Sequence, residues 1–230
     1  TLNFSSPGNI IRFGGEWILC LQTYPRPNNE KHGNENARVW IKRSNDLERW
    51  GPAELLKVKG PNVPFEEMGR LIDPYLIEDK DMPGKWWCFF DDDAANMSWS
   101  HDLKTWHYFK RIKAGENVCV LVENDEYLMF HSPNNGIGKK RSSDLVHWQD
   151  IGELITLGQE NWPWAQGRLS AGFVLDLRDD PRVGKYLLFF HGTGPEDESV
   201  IFNEYACIGI AWSDDLKHWD WPGSIEYGDG

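Results

Sequence analysis

Ser100–Trp106 reads SHDLKTW, and the same phrase, S-x-D-L-x-x-W, stands at Ser44–Trp50 (SNDLERW), Ser142–Trp148 (SSDLVHW) and Ser213–Trp219 (SDDLKHW). Four fixed positions recurring four times, one of them tryptophan, mark internal repeats. A repeat is a supersecondary unit that buries its apolar face only by stacking on its neighbours. The Trp-to-Trp spacings of 56, 42 and 71 residues are near the length of one propeller blade.

Working outward from each phrase, a β-like run precedes it: RVWIKRS, NMSWS, GIGKKRS and CIGIAWS. A strongly apolar run comes before that, at Glu16–Tyr24, Lys85–Asp93, Glu126–Ser132 and Lys185–Thr193. Another lies further upstream, at Asn9–Phe13, Asp73–Asp79, Glu116–Glu123 and Ala171–Leu177. Turn-rich links separate the two: Gly14-Gly15, Asp81–Gly84, Glu123–Asp125 and Asp179–Gly184. A short strand follows the tryptophan, as in His107–Ile112, and no stretch carries a long, capped helical pattern. The pattern predicts an all-β chain of four antiparallel sheets, about 9–56, 70–112, 115–152 and 167–227, in one domain spanning 1–230. Radial stacking of such sheets gives a β-propeller. In the phrase itself, Ser and Asp are expected to tie the turn through the backbone, while Leu and Trp fill the gap between sheets.

Composition agrees with a globular chain: 230 residues, 40% hydrophobic and 26% charged. The phrase accounts for four of the 13 tryptophans, so much of that excess is structural. A net charge of −12 argues against nucleic acid and anionic membrane as partners. There is no apolar run of about 18 residues to span a bilayer and no signal peptide is visible. Since the chain starts at Thr1, cytoplasmic and processed secreted or periplasmic locations both stay open. Cys20, Cys88, Cys119 and Cys207 show no metal-ligand spacing, sit in apolar strand-like runs and are expected to be buried free thiols.

The repeats also serve as a ruler. Aligning GRLIDPYLI (Gly69–Ile77) with GRLSAGFVL (Gly167–Leu175) makes Asn9, Asp73, Glu116 and Ala171 the first residues of the innermost strands. The antiparallel second strands then end at Gln22, Asp91, His131 and His191. Both sets are expected to open on one funnel together with Arg70 and Arg168. Paired carboxylates across a funnel suit glycosidic-bond cleavage, one protonating the leaving oxygen and the other activating water or attacking. Each residue also has a plainer use. A carboxylate at a strand start satisfies a turn, Asp91–Asp93 reads as a solvated turn, and the histidines serve packing, a metal or a sugar. Trp162 and Trp164 in ENWPWAQGR either stack on sugar or pack the outside. Long links at Tyr24–Ala37, Lys57–Gly69, Leu157–Gly167 and Gly194–Asn203 are of the size that carries binding on a rigid scaffold.

With its S-x-D-L-x-x-W blade endings, the Asp73-Pro74 opening of repeat two and the acidic Glu116 opening of repeat three, the chain resembles the five-bladed β-propeller glycosidases, glycoside hydrolase families 43 and 32 and their relatives. The resemblance covers most of the chain, although only four blade repeats are visible. It implies a carbohydrate partner, a plant or microbial glycan, cleaved with inversion. Glu116 would be the general acid and Asp73 the orienting carboxylate. Asn9, Arg70, Asp91, His131, Trp164, Arg168 and His191 would contact substrate. Asn9 stands where the family has its base. An amide cannot deprotonate water, so Asp91, Glu66 or Glu67 would have to substitute, or the propeller binds carbohydrate without cutting it. A glycoside phosphorylase is a further alternative, since phosphate needs no base and Arg70 and Arg168 could hold it. A protein-binding propeller is the blandest reading. No metal site is spelled out by ligand spacing, and a structural calcium in an acidic funnel is the one cofactor considered.

Overall fold

Each copy of the repeated phrase folds into the same turn. The serine hydroxyl accepts the N–H of the phrase aspartate at 3.2 Å in all four. The aspartate carboxylate accepts the two N–H groups that follow the leucine, at 2.7–2.9 Å. Between them the leucine is held left-handed, with φ of 65° at Leu47, 56° at Leu103, 62° at Leu145 and 60° at Leu216. That conformation costs a non-glycine residue about 1–2 kcal/mol. Burial offsets it at Leu103, Leu145 and Leu216, whereas Leu47 is 44% exposed. The N–H of Thr105, with that of Lys104, draws the Asp102 carboxyl down to about 2.

The computed structural model describes residues 4–28, 33–197 and 205–224. The far ends of the Gly194–Asn203 link and of the fourth repeat, and part of the Tyr24–Ala37 link, lie outside the described residues. The chain divides into two compact units, Thr1–Glu116 and Asn117–Gly230. The first holds β1 (Phe4–Phe13), β2 (Glu16–Thr23), β3 (Val39–Ser44) and β4 (Glu54–Leu55), paired in that order, then β5 (Ile72–Glu78), β6 (Trp86–Asp91), β7 (Ala95–Ser100) and β8 (His107–Arg111) as a second sheet. The other holds β9 (Glu116–Glu123, its first residue at the division), β10 (Glu126–Ser132), β11 (Gly138–Ser142) and β12 (Gln149–Asp150), then β13 (Arg168–Leu177), β14 (Lys185–Thr193) and β15 (Cys207–Ser213). The last sheet has three strands among the described residues, not the expected four. Past the phrase a lone bridge between Trp212 and Asp220 replaces the fourth strand, and the chain turns away at Trp221–Ser224. Among the described residues helix is confined to 3-10 turns at Phe65–Glu67 and Gln159–Asn161, so no described helix is long and apolar enough to cross a membrane.

In the first unit the core lies between its two sheets. Ile18, Cys20 and Ile41 face Leu76, Cys88 and Phe90, and the phrase residues Leu103 and Trp106 close the gap, both fully buried. Glycine is required at Gly8, where a Cβ would collide with the Pro74 carbonyl of the neighbouring sheet. Next to it the Asn9 amide bridges the sheets: Nδ2–H donates to the Leu76 carbonyl at 2.7 Å, and the Leu76 N–H donates to Oδ1 at 2.9 Å. Cys119 occupies the corresponding place in the second unit, its sulfur facing the carbonyl and N–H of Val174 at 3.7 and 3.4 Å. Cys20 and Cys88 are buried as expected, but Cys207 is exposed because β15 is the edge of its three-stranded sheet.

Candidate functional site

Strand pairing fixes the register that counting along the sequence approximates. Trp17, Trp86, Tyr127 and Tyr186 lie opposite the phrase serines Ser44, Ser100, Ser142 and Ser213. The equivalent ends of the second strands are therefore Gln22, Asp91, Ser132 and His191, with His131 one residue short. His131 pairs with Gly138 and is buried, and burial followed by the Lys140 ammonium holds its imidazole down at about 4. Its register sets it one residue short of the strand end where the sequence reading puts it, and Ser132 takes that position.

The innermost strands show a second correction. Asp73 and Ala171 are matched as expected: both are left-handed, at φ 51° and 52°, inside bulges that separate Ile72 from Tyr75 and Ser170 from Phe173. In repeat three the left-handed residue is Asn117, at φ 55°, and not Glu116. In repeat one, Ser6 pairs with Gln22 just as Ile72 pairs with Asp91, so Pro7 and not Asn9 matches Asp73. Asn9 is a sheet-bridging residue whose amide N–H and C=O both serve Leu76, which takes it out of the expected base and substrate-contact roles.

The second-strand ends have a structural use that the sequence did not announce. The Asp73 N–H donates to Gln22 Oε1, and the Ala171 N–H donates to Ser132 Oγ at 2.7 Å. Each side chain holds the left-handed start of the next sheet's inner strand. A matching device sits just upstream, where Arg70 Nε donates to the Gly33 carbonyl at 2.8 Å and Arg168 Nε donates to the Asn134 carbonyl at 3.0 Å. Arg38, unremarked as a sequence feature, is buried and donates to the Ala37, Gly69 and Phe65 carbonyls, anchoring the link that delivers β5.

What the first unit brings together is a set of carboxylates. Asp91 is 7% exposed at the end of β6, paired with the residue before Asp73. Its pKa is pushed up to about 6, first by burial, then by the charge of Glu116, with Arg70 opposing. Glu116 is exposed and Asp73 half-buried. Asp92 is taken by an ion pair with Lys59, and Glu66 and Glu67 are exposed on their 3-10 turn. Asp91, Glu116 and Arg70 therefore form an electrostatically linked group, with Asp73 in the β5 bulge next to the residue that pairs with Asp91.

In the second unit His191 lies between two hydroxyls, Ser170 Oγ at 3.3 Å from Nδ1 and Thr193 Oγ1 at 3.1 Å from Nε2. Trp164 is stacked at 5.2 Å on Trp162 and 5.9 Å from Phe190, over Gly192, which leaves no room there for a Cβ. The ring is half-buried, with one side against these neighbours. No group of three or more His, Cys, Asp or Glu among the described residues is placed to hold a metal ion.

No protein-family model matches the chain, and no curated protein sequence does. Solved structures do. The catalytic domain of a family 62 α-L-arabinofuranosidase from Coprinopsis cinerea superposes with a TM-score of 0.65 at 12% identity, over 98% of this chain and 69% of that one. A glycosyl hydrolase from Bacteroides ovatus gives 0.64 at 15% identity, over 96% and 70%. A thermostable family 43 glycoside hydrolase gives 0.61 at 11% identity, over 99% and 77%. Identity at this level speaks for the fold, and the chain accordingly has the all-β propeller fold of the glycoside hydrolases of family 43 and its relatives, with four blade sheets among the described residues.

Proposed function

We propose that the chain is a glycosidase-like propeller that cleaves a glycosidic bond in a plant or microbial glycan, with inversion, at the carboxylates of its first unit. The observation that carries this reading is Asp91, a buried carboxyl raised to about 6 beside a second carboxylate, Glu116. A buried carboxyl whose pKa is raised beside another carboxylate is an arrangement that acid–base chemistry uses. The resemblance gives the acid role to Glu116. Burial instead favours Asp91 as the group that holds the proton for the leaving oxygen, with exposed Glu116 activating water and Asp73 orienting the sugar. Arg70 is proposed as a substrate contact, and Arg168 and His191 by repeat equivalence with Arg70 and Asp91.

The test is reducing-sugar release over a glycan panel, followed by NMR of the released anomer. Asp91→Asn and Glu116→Gln should each lower turnover by about 10²–10⁴-fold. Inverted product is expected, and retained product would refute the inverting pair. Turnover that requires added phosphate would replace hydrolysis with phosphorolysis. A second reading, carbohydrate binding without turnover, is favoured by Pro7 at the first-blade position, where no carboxylate stands. Saturable binding with no product from any glycan would establish it.

A further inference from the structure

Two of the phrase tryptophans satisfy their indole N–H within the turn: Trp106 donates to the Leu103 carbonyl at 3.3 Å and Trp148 to the Leu145 carbonyl at 2.8 Å. The fourth copy does not share this bond. The carbonyl that would serve Trp219, that of Leu216, accepts the Lys139 ammonium at 3.2 Å instead. Trp219 is 9% exposed, and its Nε1 is buried without a hydrogen-bond partner among the described residues. A buried donor left without an acceptor is costly and rare enough to need an explanation.

Lys139 and Trp219 line one cleft of the second unit, about 520 Å³ in volume, with Lys217, Glu153 and Trp221 also on its wall. That size is within the range of small-molecule sites. Indole N–H and ammonium groups donate and cannot accept. Among the wall's side chains the donors of Lys139, Lys217, Trp219 and Trp221 therefore outnumber the acceptors, the Glu153 carboxylate and the Thr156 hydroxyl. Trp221, half-buried and edge-on to Trp162 at 5.7 Å, adds a fixed aromatic surface.

We infer that this cleft is a second carbohydrate site, specific for an acidic sugar unit whose carboxylate or sulfate group pairs with Lys139 and Lys217 while its ring lies against Trp221. The anion takes the Lys139 ammonium from the Leu216 carbonyl, and Trp219 recovers that carbonyl as Trp106 and Trp148 hold theirs. The saccharide part rests on the proposed glycan function, while the anion part rests on the donors alone.

The test reads the indole N–H signals of the full chain labelled with ¹⁵N-tryptophan, Trp219 being assigned through Trp219→Phe. The probes are a uronate oligosaccharide, a sulfated oligosaccharide, a neutral oligosaccharide and sodium sulfate, each to about 10 mM, enough to fill a site with a Kd near 1 mM. The Trp219 signal is expected to shift saturably with one or both acidic oligosaccharides, the arm that responds naming carboxylate or sulfate, and not with the neutral one. Lys139→Met should weaken the response at least about tenfold, the scale of one charge-assisted hydrogen bond. Exposed Lys217→Met should weaken it too, which covers the case that Lys139→Met does not fold. Asp91→Asn should leave the shift unchanged, so failure of the hydrolytic reading and failure of this one are separable. A Trp219 signal unmoved by every acidic probe, moved equally by the neutral one, or moved by sulfate ion only would overturn the inference.

Discussion

Asn9→Asp puts the sheet-bridging role of this residue against its expected place as a lost catalytic base. If Asn9 marked a base position, aspartate would supply the missing carboxylate and turnover would rise. The structure gives the opposite outcome. Asn9 is buried, and its Nδ2–H is the donor that reaches the Leu76 carbonyl at 2.7 Å. Aspartate keeps the acceptor for the Leu76 N–H but sets a carboxylate oxygen against that carbonyl. An unsatisfied buried acceptor costs about 1–3 kcal/mol, and desolvation of the charge adds to it. A loss of about 2–4 kcal/mol at pH 7 follows from these two terms. For a chain of this length that lowers Tm by about 4–16 °C. The loss should shrink at pH 4, where a protonated carboxyl can donate to the carbonyl again. Thermal melts at both pH values and turnover on the best glycan decide the matter. An Asn9→Asp protein that melts with the wild type and gains turnover would refute the bridging role.

Leu47→Gly and Leu103→Gly relieve the same left-handed strain but empty different environments. Urea unfolding should place the first within about 1 kcal/mol of wild type and cost the second about 2–4 kcal/mol; equal losses would contradict the packing role of the phrase. The pH dependence of stability has two opposite parts. Asp102, with its folded pKa drawn below the unfolded one, contributes stability above about pH 4 that is lost as pH falls toward 2, so Asp102→Ala should flatten that acid limb of Tm. Asp91, with its folded pKa raised to about 6, binds more protons folded than unfolded, so stability falls as pH rises from about 4 to 6, and Asp91→Asn should melt higher than wild type above that window. A thiol reagent should label one cysteine quickly in the native protein, Cys207, and the other three only on unfolding; fast labelling of a second would show that a blade interface opens.

The strands, their turns and the phrase were readable because alternation and turn chemistry are local. The two-residue strands Glu54–Leu55 and Gln149–Asp150 were less so, being too short to show a period. The site was read only in part, for a definite reason. β1, β5 and β13 each carry a bulge toward the strand start, and every bulge inserts a residue that resets which side chains match. Asp73 and Ala171 align because their bulges coincide, whereas counting to Asn9 passes over the bulges of β1, and in repeat three the left-handed residue is Asn117, one beyond Glu116. His131 and Ser132 are both polar at the strand end, and only the aromatic opposite each phrase serine separates them by register. Burial of Asp91 and its coupling to Glu116 belong to tertiary packing and leave no mark in the local sequence.

The most direct measurement is the pH profile of kcat/KM on the best glycan substrate for the wild type and for Asp91→Asn. The structure predicts a wild-type rate that declines above about pH 6 as Asp91 loses its proton, and an Asp91→Asn rate that is at least about 10²-fold lower with that decline abolished. A rate that rises through pH 6 would make Asp91 the base. Asp91→Asn turning over with the wild-type rate and profile would contradict the carboxylate site altogether.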